Sequence, residues 1–354
     1  MTLRFIVSVF LFTCIIVPVK QAFSEDVHTV DSQTHPQVES HAVILMYHRF
    51  GEGTYPTTNI KTEQFIQQLD YFENNGFKVW PLSKIVHHLK NKIQIPDKVL
   101  AITIDDAYLS VYQIAYPLML DRKIPFTLFV ASGVVDDNYV AYMDWEQIRD
   151  MADHGVELGN HSANHLHLVQ NKEKVSNEIS SSQLRIVEMT GVEPKLFAYP
   201  YGEFDLDVGR QISNLNYTGF GQHSGPVGES SDFLYLPRFP VSEQYADMSA
   251  LTDKLYSLPM PVLDVKPVDA ITNLTRPLMM VTLQRALSGK DTLTCFVSGQ
   301  GAAQIRWVGE SRFTVQAKKP ITIRRSRYNC TIKDVKTGRY FWYSHMWLRP
   351  DISE

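Results

Sequence analysis

Apolar positions change their spacing along the chain in a way that predicts alternating strands and helices. Between residues 43 and 241, short apolar runs alternate with segments in which apolar residues recur every three or four positions. The runs are typical of buried strands and the wider spacing is typical of amphipathic helices. Helices are predicted at 62–75, 145–154 and 175–189. Strands are predicted at 43–47, 99–104, 126–130, 156–159, 196–199, 218–221 and 235–239. Their alternation favours a parallel α/β fold.

The pattern beyond residue 257 is that of a different, all-β segment. Pro259, Pro261 and Pro267 indicate a linker. Short apolar runs then follow at 279–283, 292–297, 304–308, 312–316, 321–325, 328–333 and 339–343, which predicts a sandwich-like β domain over 265–350. Residues 306–349 hold eleven Lys or Arg against two Asp or Glu. This segment is either a basic surface for an anionic glycan or a solvated strand face.

The N-terminal residues read as an export signal. Arg4 precedes an apolar run over 5–19, and a polar stretch follows up to Ser24. This order predicts a signal peptide over 1–24. An uncleaved anchor is the alternative, although the run is shorter than the ~20 residues that a spanning helix needs. Residues 25–42 are predicted as a flexible leader. We therefore expect a secreted, periplasmic or envelope-associated protein without a membrane span after cleavage.

Composition and cysteine content add little about partners but suggest one covalent link. A hydrophobic content of 44% with 20% charged residues is ordinary for globular proteins, and the net charge of −4 gives no reason to expect nucleic acid. The oligomeric state stays open. Outside the predicted signal, the cysteines are Cys295 and Cys330. In an oxidising compartment these form a disulfide, and two buried free thiols are the alternative.

Metal-binding residue types collect after three of the predicted strands. Asp105 and Asp106 follow the strand at 99–104, His161 and His165 follow the strand at 156–159, and a Pro-Tyr-Gly turn at 200–202 follows the strand at 196–199. The carboxyl ends of parallel strands meet on one face of a (β/α) barrel. Two imidazoles and one carboxylate are a suitable set for a catalytic divalent metal, with positions left open for water. Adjacent aspartates repel each other unless a cation neutralises one of them.

These motifs resemble those of the polysaccharide deacetylase family, which shares the NodB homology domain. Residues 103–106 (Thr-Ile-Asp-Asp), 161–165 (His-Ser-Ala-Asn-His) and 198–201 (Ala-Tyr-Pro-Tyr) are similar to three of its motifs. The resemblance implies a distorted (β/α)7 barrel over 43–257. It also implies that Asp105 is the catalytic base and that Asp106, His161 and His165 bind the metal, most often Zn²⁺.

Two departures from the family pattern change the expected catalytic residues. Ala198 stands where many members have an arginine that pairs with the catalytic aspartate, so Arg238 is the predicted replacement; an exposed surface arginine is the alternative. The usual late histidine is missing, and His48 is the predicted general acid because it resembles an early Tyr-His motif of poly-N-acetylglucosamine deacetylases. His223 is the rival acid. His167, without a partner pattern, is predicted to lie on the surface.

The remaining predicted site residues concern the substrate. The backbone N–H of Tyr201 is expected to stabilise the oxyanion. Tyr199 and Pro200 belong to the same motif and are predicted substrate contacts. Trp145 either lines the acetyl pocket or is the first core residue of its helix.

We therefore expect an enzyme that hydrolyses N-acetyl groups of a polysaccharide and releases acetate. An O-acetyl esterase acting on an acetylated polysaccharide is one alternative, because the same groups cleave either bond. A non-catalytic glycan-binding module that retains the fold is the other. The Asp105-Asp106 pair favours an enzyme, since binding alone needs no free base beside a metal ligand.

Overall fold

The computed structural model describes residues 1–2 and 39–353, so most of the predicted signal peptide and most of the predicted leader lie outside the described residues. The strands are β1 His41–Tyr47, β2 Arg49–Phe50, β3 Asn59–Ile60, β4 Lys78–Val79, β5 Val99–Asp105, β6 Thr127–Val130, β7 Glu157–Asn160, β8 Leu196–Ala198, β9 Thr218–Phe220, β10 Val227–Gly228, β11 Phe239–Pro240, β12 Leu258–Pro259, β13 Val262–Lys266, β14 Leu278–Leu283, β15 Thr294–Val297, β16 Gly301–Ala302, β17 Gln304–Trp307, β18 Arg312–Gln316, β19 Arg325–Lys333 and β20 Tyr340–Leu348. The helices are α1 Thr62–Asn74, α2 Leu82–Lys90, α3 Tyr116–Asp121, α4 Ser132–Asp136, α5 Trp145–Asp153, α6 Val175–Thr190, α7 Leu206–Asn214 and α8 Met248–Leu255. In this described part, no helix has the length and apolar character needed to cross a membrane.

The apolar runs of the first part of the chain form one curled sheet. Its strand order is β10-β1-β5-β6-β7-β8-β9, and all neighbours from β1 to β9 run parallel. Both β1 and β5 are buried along their whole length, as expected for central strands with cover on both faces. The fold is thus a mixed α/β fold whose sheet curls into a half-barrel, consistent with the predicted (β/α) barrel.

A short segment bridges β9, at one edge of this curled sheet, and β1. Leu236 forms a parallel bridge with Phe220 of β9, and three residues later Phe239 pairs in parallel with Leu45 of β1. The predicted strand at 235–239 is therefore not a continuous strand. This segment runs from β9 to β1, and only β11, at its end, is a strand. Because Arg238 lies between the two contacts, its backbone is held between β9 and β1.

Two further sheets contain most of the C-terminal residues. One has the order β12-β20-β19-β15-β16 and the other has the order β13-β14-β18-β17. Both contribute to one hydrophobic core, in which Val281 and Phe313 share a cluster with Tyr328 and Trp347. Cys295 and Cys330 are opposite each other on β15 and β19, and the structure joins them in a disulfide.

Two predictions about the C-terminal part were wrong in detail. No strand occupies 321–325, because the chain turns there and only Arg325 enters β19. The predicted linker contains β12 and β13, which pair with β20 and β14. Since Val38–Glu354 form a single compact unit, the division into a catalytic and an accessory domain stays a prediction.

Candidate active site

The candidate catalytic and metal-binding residues lie at or just after strand ends, and two of them have strained backbone conformations. Asp105 is the last residue of β5, and Asp106 follows it with φ 75°. His161 directly follows β7, and His165 has φ 51°. Left-handed φ values are disfavoured for residues other than glycine and persist only where the surroundings hold them. Such strain is typical of functional sites, and here it turns the side chains together.

Asp106, His161 and His165 form a compact set of possible metal ligands. One ligand atom from each lies within 4.8 Å of the others. Nε2 of His161 and Nε2 of His165 are 3.2 Å and 3.4 Å from Oδ1 of Asp106. Nδ1 of His161 is 2.7 Å from the Ala198 carbonyl oxygen, which fixes the proton on Nδ1. In the neutral ring the lone pair is then on Nε2, which makes no hydrogen bond of good geometry among the described residues.

The charges in this cluster suit a cation. Burial, together with the neighbouring His161, lowers the pKa of His165 to about 4, so its imidazole is neutral at neutral pH. Burial alone would raise the pKa of Asp106, but the adjacent His161 imidazole, with His48 and His165 nearby, holds it below its ordinary value. A carboxylate and two imidazoles with converging lone pairs match the preferences of Zn²⁺.

Asp105 is held by Arg238, the arginine expected to replace the missing one. Nη1 and Nη2 of Arg238 donate to the two carboxylate oxygens of Asp105 at 2.7 Å and 2.8 Å, and both side chains are completely buried. Nε of Arg238 donates to the Gly221 carbonyl at 2.9 Å. Burial alone would raise the pKa of Asp105, but Arg238 keeps it below its ordinary value, so Asp105 is a carboxylate. Nε2 of His48 lies 4.0 Å from Oδ2 of Asp105.

A cavity of about 160 Å³ opens beside this cluster. Its wall combines the two metal-ligand candidates Asp106 and His165 with aromatic rings and one amide. The lining residues are Asp106, Tyr108, Ala131, Val134, Tyr142, Asn164, His165 and Tyr201. The rings of Tyr108 and Tyr142 contact each other with centroids 4.7 Å apart. These two tyrosines give the cavity an amphipathic wall that the sequence patterns did not indicate.

Tyr201 contributes to the cavity from a tight turn. Pro200–Gly202 form one helical turn in which Tyr201 has φ 59°. Its ring centroid is 4.5 Å from that of His165 in an edge-to-face arrangement, and the ring stacks on His167 with centroids 4.0 Å apart and an interplanar angle of 9°. His167, predicted to lie on the surface, is partly exposed, but it has partners: its ring packs on Tyr201 and its Nδ1 lies 3.1 Å from a carboxylate oxygen of Glu203.

The other predicted substrate residues lie outside the cavity wall. Trp145 is buried in the main core, and its indole N–H donates to Asp136 at 2.7 Å. The side chain of Tyr199 is completely buried and donates to the Leu234 carbonyl, so a contact with substrate is not available to it. Pro200 is buried at the start of the turn that carries Tyr201.

The rival general acid His223 also lies away from this cavity. Its ring stacks on Tyr235 and lines a different cavity of about 330 Å³. Burial lowers the pKa of His223 to about 3, so it is neutral at neutral pH.

The parallel α/β half-barrel carries a carboxylate with a bidentate arginine beside two histidines and a second carboxylate that could hold a metal. This combination is typical of metal-assisted hydrolases. Comparison with known proteins agrees with this class. Residues 92–220 match the family model described as polysaccharide deacetylase. Over these residues the chain therefore matches the polysaccharide deacetylase enzyme family, as its motifs predicted.

Several curated relatives match over longer stretches. A putative polysaccharide deacetylase YxkH of Bacillus subtilis is 23% identical over 201 residues, which cover 56% of this chain and 71% of that protein. A poly-beta-1,6-N-acetyl-D-glucosamine N-deacetylase of Staphylococcus aureus is 23% identical over 272 residues, which cover 68% of this chain and 93% of that protein.

Solved structures share the fold over about three fifths of the chain. IcaB from Ammonifex degensii is 26% identical, with a TM-score of 0.54, and the match covers 60% of this chain and 97% of that one. The Streptococcus pyogenes deacetylase PplD in complex with acetate is 22% identical, with a TM-score of 0.57, and the match covers 62% of this chain and 99% of that one. About two fifths of this chain therefore have no counterpart in these two structures.

Proposed function

We propose that this protein is a metal-dependent N-deacetylase of a polysaccharide built from N-acetylglucosamine, and that it releases acetate. The observation that carries the proposal is the convergence of Asp106, His161 and His165 beside the Asp105–Arg238 pair. A binding module has no use for a buried carboxylate held ready beside a set of metal ligands. The pairing of an ionised base with this ligand set is what hydrolysis of an unreactive amide requires.

Asp106, His161 and His165 would hold the metal, most often Zn²⁺ in such sets. The fit rests on His161, whose Nδ1 is engaged by the Ala198 carbonyl while its Nε2 is buried without a hydrogen bond. This is the arrangement in which a backbone oxygen orients a ligating imidazole. A divalent metal bound there would polarise the acetyl carbonyl and make a water molecule easier to ionise.

Asp105 is the group positioned to take the proton from the attacking water. It is ionised, and Arg238 fixes both of its oxygens. The carboxylate is therefore already oriented before the substrate binds, and no further conformational entropy is lost in orienting it. The Arg238 guanidinium is itself fixed by the Gly221 carbonyl. Arg238 therefore orients the base and balances its charge inside a buried site.

His48 is the group positioned to protonate the leaving amine. Its Nε2 is 4.0 Å from Asp105, and its ring is largely buried at the end of β1. The N–H of Tyr201, on the turn that faces the cavity, is the proposed donor to the developing oxyanion. Tyr108 and Tyr142, in the cavity wall, offer apolar surface to the acetyl methyl group and the sugar ring.

The substrate class is tested by measuring acetate released from chemically defined glycans. We expect release from poly-β-1,6-N-acetylglucosamine, the substrate named for the Staphylococcus aureus relatives, and from shorter N-acetylglucosamine oligomers. An O-acetylated xylan is the comparison substrate. Faster release from the ester polymer than from any N-acetylated glycan, at equal acetyl concentration, would replace the N-deacetylase proposal by the esterase.

His48→Ala is expected to change the pH dependence of the reaction. An amine leaves only when protonated, so loss of the acid removes the alkaline limb of the pH–rate profile while metal content stays normal. His223→Ala is the matched control, because His223 is neutral and lines another cavity. Both variants are measured on an N-acetyl substrate across pH. An unchanged profile for His48→Ala with a lost alkaline limb for His223→Ala would assign the acid to His223.

Export and a two-part organisation complete the proposal. The N-terminal pattern of residues 1–24 supports a signal peptide, and the Cys295–Cys330 disulfide suits an oxidising compartment. Residues 43–257 are the proposed catalytic domain and residues 265–350 the proposed accessory domain. Polymeric glycans of this kind lie outside the cytoplasm, where an exported enzyme meets them.

A further inference from the structure

A buried carboxylate links the C-terminal strands to the active-site turn. Glu203 directly follows Pro200–Gly202 and is completely buried. Its oxygens receive hydrogen bonds from Arg324 at 2.6 Å and 2.8 Å, from Arg325 at 3.1 Å and from His167 at 3.1 Å. A buried carboxylate is costly unless charged or polar partners surround it. Glu203 has such partners on several sides.

This cluster is ionised and well anchored. Burial alone would raise the pKa of Glu203, but Arg324 and His167 hold it below its ordinary value. Nη1 of Arg324 also donates to the carbonyl oxygens of Pro350 and Ile352, at 3.3 Å and 3.1 Å. Arg324 therefore joins Glu203 to the C-terminal residues by charge-assisted hydrogen bonds.

Two partners of Glu203 also contact the Tyr201 ring. His167 stacks on one face of the ring at 4.0 Å, and Cζ of Arg325 lies 5.2 Å from the ring centroid, within the range of a cation–π contact. The centroid of the His165 ring lies 4.5 Å from that of Tyr201 in an edge-to-face contact. Tyr201 adopts a left-handed backbone conformation, which a non-glycine residue keeps only when its surroundings hold it there. The contacts of the ring and of Glu203 are among the surroundings that hold this turn.

We propose that Arg325 and Arg324 position the Tyr201 turn through Glu203, so that the β-rich C-terminal segment completes the active site. The two arginines are 122 and 121 residues from Glu203 in sequence, and Arg325 is the first residue of β19. They are positioning residues, because neither is in the wall of the substrate cavity. The inference rests on the proposed function in one respect: it takes the Tyr201 N–H as the oxyanion donor.

Arg325 is the best residue for a test, because it is about one-third exposed whereas Arg324 is buried. Arg325→Gln removes the positive charge beside both Glu203 and the Tyr201 ring. Arg325→Lys keeps a positive charge but lacks the planar guanidinium group. Arg312→Gln is the matched control, since Arg312 is exposed on β18 and its guanidinium donates to Thr282. Steady-state kinetics, metal content and crystal structures are obtained for each full-length variant.

We expect Arg325→Gln to lower kcat by ~10-fold or more, because a shift of about 1 Å in a catalytic group can cost roughly 100-fold. KM and metal content should change little, Arg325→Lys should recover part of the rate, and Arg312→Gln should match the wild type. In the Arg325→Gln crystal structure, Tyr201 should leave its left-handed conformation. A merely structural role would lower the melting temperature without changing kcat.

The crystallographic result separates this inference from the proposed function. A Tyr201 turn that is unchanged in Arg325→Gln would overturn the inference, whatever the substrate proves to be. A wild-type protein that releases no acetate from any N-acetylated glycan would overturn the proposed function, while the conformation of the turn would still decide the positioning role. If Arg325→Gln does not fold, Arg325→Lys provides the same comparison with a smaller expected effect.

Discussion

Replacing His161 by alanine is expected to abolish metal binding and acetate release together. His161 is one of only three proposed protein ligands, it is completely buried, and the Ala198 carbonyl orients it. Without its Nε2, the remaining pair of ligands would not hold a divalent ion against competition from water. His165→Ala should behave in the same way. Metal content by elemental analysis and acetate release from one N-acetylated glycan are measured on the same samples.

His154→Ala is the matched control for these two variants. His154 directly follows α5, is exposed and lies 3.3 Å from Asp150, so it is also a histidine beside a carboxylate but has no place in the site. We expect its metal content and rate to equal those of the wild type. Full activity of His161→Ala in a preparation without bound metal would contradict the metal-dependent account.

Asp105→Asn is expected to keep the metal and to lose activity. A positioned base contributes ~10²–10⁴-fold to the rate, so a loss of at least ~10² is predicted for kcat. The asparagine retains the shape of the carboxylate but cannot accept the proton. It also leaves Arg238 buried without its counter-ion, and removing one partner of a buried ion pair costs about 3–5 kcal/mol. We therefore expect a lower free energy of unfolding as well.

Asp136→Asn separates the two consequences of this substitution. Asp136 also pairs with an arginine, Arg185, and accepts the indole N–H of Trp145, but it lies outside the cavity wall. We expect a loss of stability without a loss of kcat. Thermal unfolding, metal content and kcat are compared for both variants. Loss of the metal from Asp105→Asn would mean that the roles of Asp105 and Asp106 are exchanged.

The strand ends were predictable because local sequence patterns determine them. Fully buried parallel strands appear as continuous apolar runs, so the residue where polarity returns marks the strand end within about one position. Asp105 and His161 were placed in this way, and the geometry of a parallel sheet then brings them together. The contact of Arg238 with Asp105 was expected from the resemblance, although the segment that carries Arg238 contains only the short strand β11.

The support of the active-site turn was not predictable from these patterns. Glu203 and Arg324 are 121 residues apart in the sequence. A single carboxylate after a turn belongs to no repeating sequence pattern, so nothing in the sequence indicates that it is buried or which arginine it contacts. The excess of basic residues over 306–349 suggested a surface, yet Arg324 points inward to a buried carboxylate. For His167, the only sequence signal for a role was its position two residues after His165. Contacts between distant segments depend on tertiary packing, which single-sequence patterns do not encode.

The most direct test of the central claim is acetate release measured as a function of bound zinc. The purified protein is freed of metal with a chelator and titrated with Zn²⁺, and the release of acetate from poly-N-acetylglucosamine is recorded at each step. We predict that the metal-free protein is inactive and that activity rises with zinc until about one ion per chain is bound, because the described residues form one such ligand set. An undiminished rate in the metal-free protein would contradict the account.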